Sequence, residues 1–306
     1  MSGSGRFLCV GVGEILWDLL PAGKQLGGAP ANFAYHAHAL GAEARVVSRV
    51  GADPLGREIL DRLRTLGLPT DGITADPSAP TGTVSVALDA RGTPTYTIHE
   101  NVAWDFLTAE ESVMRMAARA DAVCFGTLGQ RNPVARAAIR RLVQALPETA
   151  LRIFDINLRQ QFWSRELMQE SLELANVLKL NDEELPVVAK LMGWDGAEAA
   201  CLEKLADRFR LQAVALTRGA RGSTLQVDEK VVHHPGARLT IADTVGAGDS
   251  YTAALALGLL HGHSAEAILA FAHRVADYVC TQPGATPPLH AELRHHFSQD
   301  TKHDGN

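Results

Sequence analysis

The stretch Asp243-Thr244-Val245-Gly246-Ala247-Gly248-Asp249-Ser250 runs straight into an apolar, alanine-rich segment from Tyr251 to Leu260. Two glycines bracket an alanine, and an acid follows where a helix is predicted to begin, so several backbone N–H groups there lack intrahelical partners. The helix dipole adds partial positive charge, and glycine permits close backbone approach, so such an end attracts an anion. Asp249 then stands beside that anion, an awkward place for a carboxylate unless it takes a proton from a hydroxyl about to attack. The competing reading is a glycine-rich turn with an acidic N-cap.

Working outward, short apolar strands alternate with helices: 122–128 then 133–146, 151–155 then 165–174, 177–180 then 182–192, and 195–209 before the strands 213–217 and 223–227. That rhythm predicts a mainly parallel sheet covered by helices on both faces. Ligands in such sheets sit at the carboxyl ends of strands. Asp155-Ile156-Asn157-Leu158-Arg159, Asn181-Asp182-Glu183-Glu184 and Thr217-Arg218-Gly219-Ala220-Arg221-Gly222 each begin where a strand is predicted to end. Arg159 on that rim is a candidate for a phosphate or substrate oxygen. Asn181 and Glu184 are candidates beside magnesium, which keeps its waters and takes one or two protein contacts. A capped helix start accounts for the same pair.

The N-terminal third departs from the rhythm. Phe7 to Val12 reads as a buried strand ending in Gly13-Glu14. Gly11-Val12-Gly13 is not a dinucleotide fingerprint, because Leu16 stands where its third glycine belongs, and Lys24-Gln25 is not a Walker-type loop. Gly27-Gly28-Ala29-Pro30-Ala31-Asn32 opens a helical run from Phe33 to Leu40. Asn32 offers a donor and an acceptor there, and Asp18 an acceptor for sugar hydroxyls. After a strand at 44–50 and a helix at 57–66, alternation at 83–89 and 95–100 about a turn at 90–92 predicts an antiparallel hairpin with one polar face. This hairpin is expected to belong to a small projecting sheet, serving as a flap that excludes water or as a dimer interface. Trp104 just beyond is a candidate for flap packing or for a sugar face.

Composition narrows the classes. At 46% hydrophobic and 21% charged over 306 residues the chain is an ordinary globular one, and 29 basic against 35 acidic residues leave no basic surface for nucleic acid. No segment is long and apolar enough for a bilayer, and Cys9, Cys124, Cys201 and Cys280 lack metal or redox spacing, so a cytoplasmic protein with reduced thiols is expected. The histidines at 233, 234, 290, 295, 296 and 303 read as solvated surface groups.

These residues resemble the ribokinase-like, phosphofructokinase-B-type carbohydrate kinases over nearly the whole chain. The resemblance rests on Gly27 to Asn32, on Asp243 to Asp249 and on Asn181-x-x-Glu184 between them. It implies a three-layer α/β/α fold with a mainly parallel central sheet plus a small β-sheet lid. A single domain over 1–306 is expected, with lid strands from about 13–32 and 83–104 and a flexible tail at 290–306. It further implies ATP-dependent phosphorylation of a sugar, with Asp249 as base and the N–H groups of Gly246, Ala247 and Gly248 as an anion hole. Asp18, Gly28 and Asn32 would hold sugar hydroxyls. Asn181 and Glu184 would organise magnesium and phosphate, Glu184 through water. Thr217, Gly219 and Gly222 would border the nucleotide, with His273 near adenine. Asp243, with backbone carbonyls near Val245 and Gly284, would hold a monovalent cation such as potassium. Gly13-Glu14, the Gly-Gly-Ala-Pro-Ala-Asn form and Asp155-x-Asn157-x-Arg159 with Trp163 look most like bacterial fructokinases, which points to the fructose 6-hydroxyl. Ketodeoxygluconate, ribose or a nucleoside is the alternative acceptor, and a catalytically silent sugar or nucleotide sensor the alternative of another class. A homodimer through the lid sheet is the expected assembly.

Overall fold

A computed structural model describes residues 6–20, 23–88, 94–294 and 296. In chain order the elements are β1 (Leu8–Val12), β2 (Leu16–Leu20), β3 (Gly23–Gly27), α1 (Ala29–Ala39), β4 (Glu43–Gly51), α2 (Pro54–Thr65), β5 (Ile73–Asp76), β6 (Gly82–Leu88) and β7 (Pro94–Ile98). There follow α3 (Glu111–Ala117), β8 (Ala122–Phe125), α4 (Pro133–Gln144), β9 (Leu151–Asp155), α5 (Arg165–Leu174), β10 (Val177–Asn181), α6 (Glu184–Met192) and α7 (Glu198–Phe209). The chain ends with β11 (Ala213–Thr217), β12 (Ser223–Val227), β13 (Lys230–His234), α8 (Ala247–Leu260), α9 (Ala265–Cys280) and α10 (Ala291–Arg294).

Among the described residues the large sheet has nine strands in the order β13-β12-β11-β10-β9-β8-β1-β4-β5. It is parallel from β11 to β5, and β12 and β13 add an antiparallel edge. Each central strand is buried on both faces, which is why its sequence is a continuous apolar run rather than an alternation. In β1, Leu8, Val10 and Val12 belong to one hydrophobic cluster with residues of α4, α5, α6 and α7, whereas Cys9 belongs to the other, with residues of α1, α2, α8 and α9. Period two along the strand thus separates the two helical layers. Gly11 is required on the α1 side, because a Cβ there would lie 2.0 Å from the Pro30 carbonyl oxygen.

A second sheet, β3-β2-β6-β7, forms the lid. β2 runs antiparallel to β3 and parallel to β6, and β6 and β7 form the predicted hairpin. Leu16, Val84, Ile98, Val102, Trp104 and Leu128 make the small apolar cluster beneath it.

The structure differs from expectation in four places. β5, β13 and α3 occupy stretches too short or too polar to stand out. Helix α1 begins at Ala29 rather than Phe33, because Gly28 at φ 114° turns the chain and Pro30 is already set for the first helical turn. The predicted turn at 90–92, and the tail residues 295 and 297–306, lie outside the described residues. No helix among the described residues is long and apolar enough to cross a membrane.

Candidate active site

Helix α8 starts at a bend that only glycine tolerates: Gly246 is its N-cap at φ 80°, and a Cβ there would meet the Ala285 carbonyl oxygen at 2.4 Å. The Ser250 amide closes the first turn on the Gly246 carbonyl at 2.8 Å. The Ala247 amide departs from the expected three-donor hole, because it donates to the Thr244 carbonyl at 3.3 Å. Gly246 and Gly248 line the adjoining cavity and Ala247 does not.

Asp249 lies in that first turn, and Asn32 Nδ2 donates to its Oδ2 at 2.8 Å across 217 positions of sequence. Burial, then the charge of Asp155, raises the Asp249 pKa to about 6, while Asn32, Lys179 and Arg159 oppose the rise. A buried carboxylate titrating there is suited to take up a proton near neutrality.

The cavity has a volume of about 1060 Å³. Its lining includes Glu14, Gly28 and Asn32, then Asn181, Thr217 and Asp243 to Gly246, and from the lid Leu16, Asp18, Val84, Tyr96 and Ile98. Burial raises the Asp18 pKa and the charge of Arg159 lowers it. Gly28 brings α1 against the β1–β2 connection, where a Cβ would lie 2.5 Å from the Glu14 carbonyl oxygen. Arg159 lines the cavity on an exposed loop whose neighbours Asn157 and Gln160 both have positive φ, 48° and 47°.

Several sequence candidates stand elsewhere. Trp104 is not a sugar face: it is 1% exposed, packed under the lid with the Arg131 guanidinium 4.0 Å from its ring centroid. Its size and apolarity put it in the cluster that carries the lid. Glu184 is buried, and its two carboxylate oxygens accept the amides of Leu158 at 2.9 Å and Asn181 at 2.8 Å. Those two bonds hold two rim loops together. Asn181 lines the cavity while its Oδ1 caps α6, accepting from the amides of Glu183 and Glu184. Gly219 and Gly222 form a tight turn outside the cavity lining, and a Cβ on Gly222 would lie 1.8 Å from the His234 carbonyl oxygen. His273 is an interior residue rather than a cavity wall. Its Nε2 meets Ser223 Oγ at 2.8 Å, His234 stacks on it at 3.9 Å, and burial, then the charge of His234, lowers its pKa to about 4. Asp243 accepts the amides of Val245 at 3.0 Å and Gly284 at 3.1 Å, so its carboxylate staples the segment before α8 to the one after α9.

Sequence reading missed Lys179, and quoted Asp155 and Glu14 in motifs without giving either a role. Lys179 is a single charge inside an apolar strand, the available signal for a buried functional group. Its ammonium lies 3.0 Å from Asp155 Oδ1 and 3.0 Å from where a Cβ on Gly248 would stand. Burial pulls its pKa down, but the charges of Asp155, Glu184 and Asp249 outweigh this and the net shift is upward.

Glu14 is 3% exposed, and its Oε2 has no hydrogen-bond partner. Burial is the main cause raising its pKa from 4.5 to about 7. The folded state therefore binds this proton more tightly than the unfolded chain. The resulting stability is complete below pH 4.5 and is lost as the pH rises through about 7. Glu14→Gln, which keeps the shape and removes the charge, is expected to melt like the parent at pH 4.5 and above it at pH 8, by an amount equivalent to about 3 kcal/mol. Equal melting shifts at both pH values would contradict the assignment.

Against known proteins, the family model for pfkB family carbohydrate kinases matches residues 22–292. A fructokinase of Klebsiella pneumoniae is 30% identical over 264 residues, covering 82% of this chain and 84% of that one. Fructokinase-1 of Zea mays is 30% identical over 316 aligned positions, covering 94% and 96%. The crystal structure of an uncharacterized sugar kinase from Pyrococcus horikoshii in complex with ATP matches with a TM-score of 0.78 at 28% identity, covering 92% of this chain and 94% of that one.

Proposed function

From the premise that this chain belongs to the pfkB family of carbohydrate kinases, phosphotransferases with an alcohol acceptor, we propose that it transfers the γ-phosphoryl group of ATP to the 6-hydroxyl of fructose. The observation that carries this reading is Asp249 at the tip of α8, bonded to Asn32 and adjoining a cavity that the lid borders. Phosphoryl transfer passes through a loose transition state with charge on the phosphoryl oxygens, so positioning and electrostatics supply most of the catalysis. The amides of Gly246 and Gly248 and the Lys179 ammonium face that charge, Asp249 takes the hydroxyl proton, and Asp18, Gly28 and Asn32 hold the sugar.

Fructokinases among the relatives at 30% identity support fructose, and the relative solved with ATP supports the donor. The lining adds a physical reason. Asp18, Asp243 and Asp249 face Arg159 and Lys179, and Lys179 is already paired with Asp155, which favours a neutral polyol over an acidic sugar. Magnesium arrives with the nucleotide and neutralises its phosphates, with Asn181 beside it and Glu184 acting through water. Asp243 with the segments at Val245 and Gly284 is the proposed seat for potassium. The chain acts as one kinase domain, and the exposed Leu19 and Tyr96 of the lid, 36% and 55% accessible, are the proposed homodimer contact.

A coupled ATP-consumption assay with fructose, ribose and ketodeoxygluconate tests the acceptor. Fructose is expected to give a kcat/KM at least about tenfold above the others, as a few well-placed hydroxyl contacts provide; a preference for ketodeoxygluconate would refute the charge reading. For the best substrate, kcat/KM should rise with pH through about 6, because Asp249 serves as base only when deprotonated. A profile flat from pH 5 to 8 would remove Asp249 from that role.

A further inference from the structure

Asp155 ends β9, 4% exposed, with each carboxylate oxygen engaged by a different layer of the fold. Oδ1 accepts from Lys179 Nζ at 3.0 Å, on the neighbouring strand β10 where Lys179 and Asp155 are register partners. Oδ2 lies 2.8 Å from the Thr252 hydroxyl on α8. That hydroxyl is also 2.9 Å from the Gly248 carbonyl, so its single hydrogen is shared between the helix and Asp155. Thr252 is fully buried and Lys179 nearly so.

A buried ion pair is weak evidence for stability, since desolvation offsets most of its Coulombic gain. The position of this one is more telling. The Asn32–Asp249 bond also joins α8 to the rest of the site, but it uses the carboxylate that must react. Asp155 grips the same helix one turn deeper, through a hydroxyl that takes no part in the reaction, and with its other oxygen it holds the ammonium beside Gly248.

We propose that Asp155 is a positioning residue for phosphoryl transfer: through Thr252 it fixes the first turn of α8 against the sheet, and through Lys179 it fixes the cation beside the Gly248 amide. The proposal rests on the kinase reading above for its kinetic consequence, whereas its structural consequence stands without any substrate.

The test compares Thr252→Val, which is nearly isosteric but lacks the hydroxyl, with Thr252→Ser, which keeps it, and with Asp155→Asn. Amide hydrogen exchange of the full chain reads the tether directly. Thr252→Val is expected to speed exchange at residues 250–252 by about tenfold while the last turns of α8 are unchanged, and Thr252→Ser to restore protection. In sugar phosphorylation Thr252→Val should lower kcat by about tenfold with the sugar KM within about twofold, and Asp155→Asn by about a hundredfold, the penalty of a small misplacement at the reacting atoms. Thr252→Ser should return kcat to within about threefold of the parent. A Thr252→Val protein that exchanges and turns over like the parent would overturn the proposal. If Asp155→Asn does not fold, the two Thr252 variants decide; if the parent phosphorylates no sugar, the kinase reading fails and the exchange measurement still decides the tether.

Discussion

Asp249→Asn is expected to fold and to lose kcat by about 10³-fold, within the 10²- to 10⁴-fold range of general-base catalysis. The substitution keeps the shape and a hydrogen bond with Asn32 while removing the proton acceptor, so binding of sugar and nucleotide should survive and KM values change little. The parent's acid limb, centred near the Asp249 pKa of about 6, should vanish from the residual activity. Burial and the charge of Asp155 both penalise the ionised form of Asp249, so the variant should also melt at or above the parent temperature near pH 8. Steady-state kinetics with a melting curve at two pH values checks all three outcomes, and near-parent turnover would remove Asp249 from the chemistry.

The second large effect belongs to Gly246→Ala. A residue with a side chain at φ 80° costs about 1–3 kcal/mol from backbone strain alone. Here the new methyl would also stand 2.4 Å from the Ala285 carbonyl oxygen and 2.8 Å from its Cα, backbone atoms that move only with their chain. The tip of α8 must shift, taking the Gly246 amide with it, and loss of one such donor from an anion hole costs about 10²- to 10³-fold in kcat. Gly262→Ala is the control, because it has φ 69° and nothing within 4 Å of the added methyl. It should show the strain as a lowered melting temperature and leave kcat unchanged. If Gly246→Ala loses no more activity than Gly262→Ala, the helix tip is not an anion hole.

Much of this site was legible because its backbone chemistry is written in glycine. Gly246 and Gly28 announce positions where a Cβ cannot stand, and Asp249 and Asn32 were placed in helix first turns by their neighbours in sequence. The alternation at 83–89 and 95–100 gave the hairpin of β6 and β7, whereas the lid strands within 13–32, β2 and β3, were expected from the family resemblance and not from alternation. What stayed out of reach depended on three-dimensional neighbours. Trp104 and His273 could be wall or interior until their packing was known, and both are interior. Lys179 and Asp155 lie 24 positions apart, and only the parallel register of β9 and β10 makes them a pair. Glu184 fulfilled its motif spacing, yet its oxygens are satisfied by the amides of Leu158 and Asn181, a bond pattern that spacing alone does not reveal.

The bond between Asn32 and Asp249 spans 217 positions, and α8 settles against α1 and α9 in one shared hydrophobic cluster. During synthesis the half of the centre that carries Asn32 therefore emerges from the ribosome long before the half that carries Asp249. Nascent chains that stop short of α8 lack Asp249, the proposed proton acceptor, and the residues of α1 that cluster with α8 wait uncovered until that helix arrives. A chain terminated before α8 is therefore expected to transfer no phosphoryl group at this centre.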